Sequence, residues 1–269
     1  MEKVYNPQGS PLREHQLRLL ALLKEFDRLC RENGIVWWMD GGTLLGAQRH
    51  GGFIPWDDDL DVCILWKDVP RIRKILKDKA PAPYAFVDRS GTKGYTRLWP
   101  RFIDSSCRIV RRDAVSGEPV EDFLWIDTFI VRPGNPKVKK MIDPLYGRCL
   151  RRISGAIDDG AIKKLAAYLL YPFARLAVLL ADLCGRAFHR NSLMHDFGVP
   201  FYNIRTPQEV FPLQTVSFEG CEFPAPKDPD SYLRRIYGDW HRLPPESQRH
   251  NHEIVFYSST IQDSEITSS

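Results

Sequence analysis

A chain of 269 residues with 43% hydrophobic and 27% charged side chains is long enough to bury a large core and too apolar to stay disordered. Its 38 Lys and Arg against 34 Asp and Glu leave a formal charge of only +4, which argues against a surface built to coat a polyanion. The six cysteines are 33 to 44 residues apart with no CxxC or Cys/His cluster, which supports neither a disulfide framework nor a structural zinc site. Residues 1–7 have no apolar core of the signal-peptide kind, and the expected compartment is the cytoplasm.

Ser10-Pro11 is an N-cap followed by a proline suited to the first helical turn, and Leu12, Leu19, Leu20, Leu23, Phe26, Leu29 and Cys30 predict an amphipathic helix ending at Asn33-Gly34. The run 35–39 predicts a buried strand, and Gly41-Gly42 a turn before a short helix from Thr43 to His50. A second strand is expected over 60–65, a charged helix over 69–79, and strands over 84–87, 96–103, 107–111 and 123–131. From 132 to 190 there are twelve Lys/Arg and four Asp/Glu, a net of +8, together with an apolar run from Leu165 to Leu183. Pro172, Arg175 and Asp182 interrupt that run and argue against a membrane-spanning helix. A helical insertion packed on the core is favoured; a basic amphipathic surface for an anionic membrane or acceptor is the sharper alternative. A strand over 215–218 and a helix over 229–237 complete the expected elements, and 258–269 reads as a fraying tail.

The densest chemical signal is Trp56-Asp57-Asp58-Asp59-Leu60-Asp61-Val62. Such crowded carboxylates repel one another, and a fold gains little by collecting them without a cation. On an extended strand Asp59 and Asp61 would point to one face, roughly 6.5–7 Å apart, within reach of one divalent ion. Hard oxygen donors suit Mg²⁺ or Mn²⁺. Upstream, glycines at 41 and 42 would let backbone N–H groups approach a phosphate at a helix N-terminus. Asp127, alone in the apolar run 123–129, would be costly to bury without a partner, and a metal is the suspected one.

The block from Trp38 to Val62, with Asp40-Gly41-Gly42-Thr43 and Trp56-Asp57-Asp58-Asp59-Leu60-Asp61, resembles the LicD family of phosphocholine transferases, relatives of fukutin and fukutin-related protein. Segments 223–228, 232–233, 237–240 and 243–245 resemble the family's C-terminal motif. The resemblance implies an α+β nucleotidyltransferase-like core with a small mixed sheet flanked by helices, and the basic segment adds a helical insertion. The expected division is a catalytic core over 1–131, the insertion over 132–198 and a segment completing the catalytic domain over 199–269.

The implied activity is metal-dependent transfer of phosphocholine, or a related phospho-alcohol, from CDP-choline or another CDP-alcohol to a hydroxyl of a cell-surface glycan such as lipopolysaccharide, with CMP released. The cofactor would be Mg²⁺, with Mn²⁺ as the substitute. Asp59, Asp61 and Asp127 would form the metal and catalytic set, with Asp127 either ligand or general base. Gly41, Gly42, Thr43, Arg49 and Lys227 would meet the donor and its phosphates; Asp40, Asp57, Asp58, Trp56 and His252 would support ligands or substrate. His50, Arg97 and Arg101 are further candidates for phosphate and equally candidates for surface charge. Trp56 is the best-placed ring for a quaternary ammonium, which aromatic faces attract. A nucleotidyltransferase releasing pyrophosphate is the competing reaction. The acceptor could be lipid-linked, with 132–190 touching the inner face of the cytoplasmic membrane; nucleic acid is not an expected partner.

Overall fold

The computed structural model of the chain describes residues 5–78, 82–92, 95–112, 117–157, 159–249 and 254–257. His252 and the tail 258–269 lie outside them. The first helix, α1 (Pro11–Glu32), starts as expected, with the Ser10 side chain accepting from the Arg13 N–H. Its buried stripe lays Phe26 against Phe102 and Trp37, with ring centroids 5.2 and 5.4 Å apart. Strand β1 (Trp37–Met39) is wholly buried and leads directly into α2 (Gly41–His50). The two glycines expected to form a turn are instead the first residues of that helix. The physical reason is crowding: a Cβ at Gly41 would lie 2.5 Å from the Asp61 carboxylate, and one at Gly42 would lie 2.9 Å from Asp57.

Strand β2 (Asp61–Leu65), helix α3 (Val69–Asp78) and strand β3 (Tyr84–Val87) follow. Asp59 therefore precedes the strand rather than sharing one of its faces with Asp61, which corrects the two-carboxylate strand geometry. Two strands expected over 96–111 are one, β4 (Arg101–Arg112). Pro100 precedes it, and an irregularity between Asp104 and Arg108 bends it without ending it. The last long strand is β5 (Pro119–Pro133).

The main sheet has the order β1-β2-β5-β4-β3. All these pairings are antiparallel except β2 with β5, which run parallel. The mixed sheet flanked by helices is the α+β architecture of the nucleotidyltransferase-like core.

Beyond β5 come α4 (Pro136–Ile153) and α5 (Ala161–Phe188), packed on each other, then β6 (Leu193–His195) on the end of β5. Helix α5 turns its small residues inward. Ala167, Ala174 and Gly185 are buried, and a Cβ at Gly185 would lie 2.7 Å from the Pro133 carbonyl oxygen. Its leucines and phenylalanines face outward, the reverse of the core packing favoured for the apolar run. A short α6 (Pro207–Val210), the hairpin β7 (Gln214–Phe218) and β8 (Cys221–Ala225), and α7 (Pro229–Tyr237) return the chain to the sheet; β9 (Ile254–Tyr257) pairs with β4. Glu219, at the hairpin tip, pairs with Arg13 at 2.6 Å and accepts from the Phe53 N–H at 3.1 Å. That clamps the hairpin over the loop after α2.

The loop after α2 returns across Gly46 so closely that a Cβ there would lie 2.5 Å from the Gly52 oxygen and 3.0 Å from the Ile54 nitrogen. Gly46→Ala is expected to cost about 1–3 kcal/mol, read as a lower midpoint in urea unfolding.

Candidate active site

Register builds the site. Asp61, first in β2, stands abreast of Asp127 in β5, and Asp127 stands abreast of Arg101, first in β4. Directly paired residues share a face of the sheet, so one row carries carboxylate, carboxylate and guanidinium at strand spacings of roughly 4.8 Å. Asp40 continues the row across β1, its N–H donating to the Asp61 carbonyl at 3.1 Å.

Arg101 Nε donates to Asp127 Oδ1 at 2.9 Å, and the Arg101 guanidinium stacks 3.8 Å over Trp125. The partner of buried Asp127 is thus an arginine, which corrects the expectation that a metal alone would account for its burial. Arg101 is held inside by this pair and a second one to Asp122, rather than lying on the surface.

Asp61 has weaker support. The Gly42 N–H donates to its carboxylate, and its own N–H donates to Thr43 Oγ1 at 2.7 Å. Shielding from water, then the charges of Asp127, Asp40 and Asp57, push its pKa well above the usual carboxylate value. Such a group gains from a cation. The donors are hard carboxylate oxygens, and Arg101 reaches Asp127 while no described arginine pairs with Asp61. Paired hard carboxylate oxygens of this kind are suited to a divalent ion, and Asp59 lines the same cavity.

These carboxylates lie in a cavity of about 990 Å³. Asp57, Asp59, Asp61 and Asp127 form its acidic part, beside Gly42; Trp56, Trp99, Phe129, Phe201 and Tyr237 supply aromatic walls; Arg49, Arg242 and Arg249 supply positive charge. Trp99, Phe129 and Phe201 cluster with centroids 5.3–6.4 Å apart. Trp56 already carries a cation, the Arg249 guanidinium 5.3 Å from its ring centre. Arg49 donates to the Trp240 carbonyl at 3.0 Å and to His50 Nε2 at 3.0 Å, and burial followed by Arg49's charge pushes the His50 pKa down to about 4.

Other predicted residues lie elsewhere. Asp58 is buried and its carbonyl accepts from His15 Nε2; Thr43 is buried behind Asp61; Lys227 is exposed beyond β8 and does not line the cavity; Arg97 lines a separate cavity of about 450 Å³.

Asp40 serves a different purpose. It is buried outside the cavity and accepts from Arg205 Nη2 at 2.9 and 3.2 Å, Tyr232 Oη at 2.7 Å, His195 Nε2 at 2.9 Å and the Cys63 thiol at 3.1 Å. Arg205 Nη1 also donates to His195 Nδ1 at 3.2 Å, which fixes a neutral ring with its proton on Nε2. Burial would raise the Asp40 pKa, but Arg205 and then His195 hold it well below the ordinary value; burial and then Arg205 push His195 down to about 4. Donor atoms of Asp40, Cys63 and His195 lie within 4.8 Å of one another, as a metal would want. The Arg205 guanidinium nevertheless supplies the positive charge there, and a metal would have to displace it. Arg205, His195 and Tyr232 are distant in sequence from Asp40, and no local motif marks them.

Comparison with known proteins bears on the same residues. Residues 34–140 match the family model described as LicD/FKTN/FKRP, nucleotidyltransferase domain, which spans both carboxylate strands. Over these residues the chain is similar to the LicD family. It is 28% identical over 264 residues to the lipopolysaccharide cholinephosphotransferase LicD of Haemophilus influenzae, covering 90% of this chain and 96% of that protein. A shorter match, 56% identity over 36 residues, links it to the human ribitol 5-phosphate transferase FKRP, covering 13% of this chain and 7% of FKRP. Another, 39% over 49 residues, links it to the yeast mannosyltransferase regulator 4, covering 18% of this chain and 4% of that protein.

Two outcomes follow from this site. Arg205→Met leaves Asp40 buried without its counterion and is expected to cost about 3–5 kcal/mol in urea unfolding at neutral pH. Because the folded Asp40 pKa is depressed, its ionic stabilisation is present above the unfolded value near ~3.9 and is lost below it; the gap between variant and wild type should therefore narrow on acidification. Asp61 has the opposite sign. Its raised folded pKa makes the metal-free protein lose stability as pH rises above ~3.9, until the folded value is passed. Asp61→Asn should raise the melting temperature of metal-free protein at neutral pH, whereas Mg²⁺ should raise that of wild type and leave the variant unmoved.

Proposed function

We propose that this LicD-like chain transfers a phospho-alcohol, phosphocholine foremost, from a CDP-activated donor to a hydroxyl of a cell-surface glycan, with CMP as the product. The observation that carries this reading is the lateral pairing of Asp61 and Asp127 in a large cavity that also holds aromatic faces and arginines. The similarity to Haemophilus influenzae LicD along nearly the whole of both chains supports the cargo and acceptor class, and FKRP supports a phospho-alcohol more broadly.

In this reaction the acceptor oxygen forms a bond to the phosphorus that carries the alcohol. The bond from that phosphorus to the bridging oxygen breaks, and CMP leaves with the electron pair; the hydroxyl proton passes to a carboxylate of the site. A divalent ion held by Asp59, Asp61 and Asp127 would neutralise charge on the diphosphate. The chain's own groups do the positioning. Arg101 fixes the Asp127 carboxylate, so its orientation is set before substrate arrives. Gly41 and Gly42 leave room for Asp61 and Asp57 beside the start of α2. Arg49, Arg242 and Arg249 line the cavity and would meet the nucleotide's phosphates, and the Trp99–Phe129–Phe201 cluster offers ring faces for a quaternary ammonium.

The test is CMP release from CDP-choline with Mg²⁺ and a glycan acceptor pool. Release that requires both supports the proposal. Asp61→Asn and Asp127→Asn should each lower the rate by at least ~10²-fold, the order expected when several kcal/mol of charge stabilisation are lost. Unchanged turnover in both variants overturns the carboxylate site, and release of pyrophosphate from a nucleoside triphosphate in place of CMP overturns the reaction.

A further inference from the structure

Helix α5 is the one helix among the described residues long and apolar enough to cross a membrane, yet little of it is buried. Leu165, Leu169, Phe173, Leu176, Leu180 and Leu183 are 54–71% exposed. At about 100° per residue they fall within an arc of roughly 80°, opposite buried Ala167, Ala174 and Gly185. A helix in a water-soluble fold normally turns its large apolar side chains inward. This one is inverted along its whole length of roughly 42 Å. Met141, 81% exposed, and Leu145 extend the apolar surface onto α4.

Positive charge lies beside this ridge. Lys164 and Arg175, eleven residues apart, stand above one another on one shoulder of α5, and both are exposed. Lys137, Lys140 and Arg148 are exposed on α4. The acids of the helices are largely spent internally: Asp143 on Lys139, Asp159 on Arg152, and Asp182 on Arg132 and Arg186.

We propose that the α4–α5 pair docks on an anionic lipid bilayer, with α5 lying in the interface, its leucine and phenylalanine ridge in the acyl boundary and its lysines and arginines at headgroup level. Three observations favour this occupant. Positive shoulders beside an apolar ridge complement anionic headgroups above acyl chains. A second copy seated antiparallel, ridge to ridge, would bring the two Lys164–Arg175 shoulders side by side. A spanning pose would carry α4, packed against α5 with its exposed lysines and arginine, into hydrocarbon. The proposal is independent of which group the active site transfers.

Co-sedimentation of the full chain with phosphatidylcholine vesicles, with and without phosphatidylglycerol, tests it. Wild type should pellet with the anionic vesicles and far less with the neutral ones. The double variant Leu169→Glu/Phe173→Glu should bind at least ~tenfold more weakly, and Lys164→Glu/Arg175→Glu should lose the preference for anionic lipid. Wild-type melting temperatures in both variants, whose replaced side chains are exposed, would exclude unfolding as the cause. Wild type left in the supernatant with both vesicle types overturns the proposal. So does equal binding by the ridge variant, or a stable oligomer that Leu169→Glu/Phe173→Glu takes apart.

Discussion

Two carboxylates held one strand-spacing apart are the constraint around which this protein is arranged. The parallel pairing of β2 with β5 puts Asp61 beside Asp127, and mutual repulsion at that distance would oppose the register. The structure answers it asymmetrically. Arg101, from the antiparallel neighbour, settles Asp127, while Asp61 receives the Gly42 N–H at the start of α2. That imbalance leaves one carboxylate short of positive charge at a cavity large enough for a nucleotide-sized ligand. The electrostatic cost in the metal-free fold is the same quantity that favours a cation when one binds.

The Asp40 network explains how the sheet end is kept rigid. Asp40 begins the row of charges, but its side chain turns inward to Arg205, His195, Tyr232 and Cys63. These come from the loop before α6, from β6, from α7 and from β2. One buried carboxylate thus ties the last third of the chain to the α2 start. A buried ion pair of this kind adds less net stability than its contact count suggests, because desolvation offsets much of the attraction. Its consequence is positional: α2 cannot shift without breaking several hydrogen bonds, and Gly42 stays beside Asp61.

The helical pair after β5 obeys a different logic. Gly185 and Asp182 tether α5 to the end of β5, and alanines face inward, so close packing is achieved with small side chains. The large apolar residues are left for another environment. Pro172, Arg175 and Asp182 break the hydropathy of the run when it is read linearly. On the helix Asp182 points inward to Arg132, Arg175 falls on a shoulder, and the outer face becomes continuously apolar.

The sequence alone determined the local chemistry: the Ser10-Pro11 helix start, the buried strand at 37–39, the glycine pair, the carboxylate run and the isolated Asp127, together with the family those motifs resemble. These signals lie within short windows, where spacing and residue type are sufficient. Only the tertiary structure decided which carboxylates meet. Asp59 and Asp61 looked like the pair because they are two apart, but the strand begins at Asp61, and its neighbour comes from a segment 66 residues later. Arg101 and Arg205 were invisible as charge partners for the same reason. A counterion is chosen by distance in space, set by sheet register and burial, and nothing local to Asp127 or Asp40 encodes it.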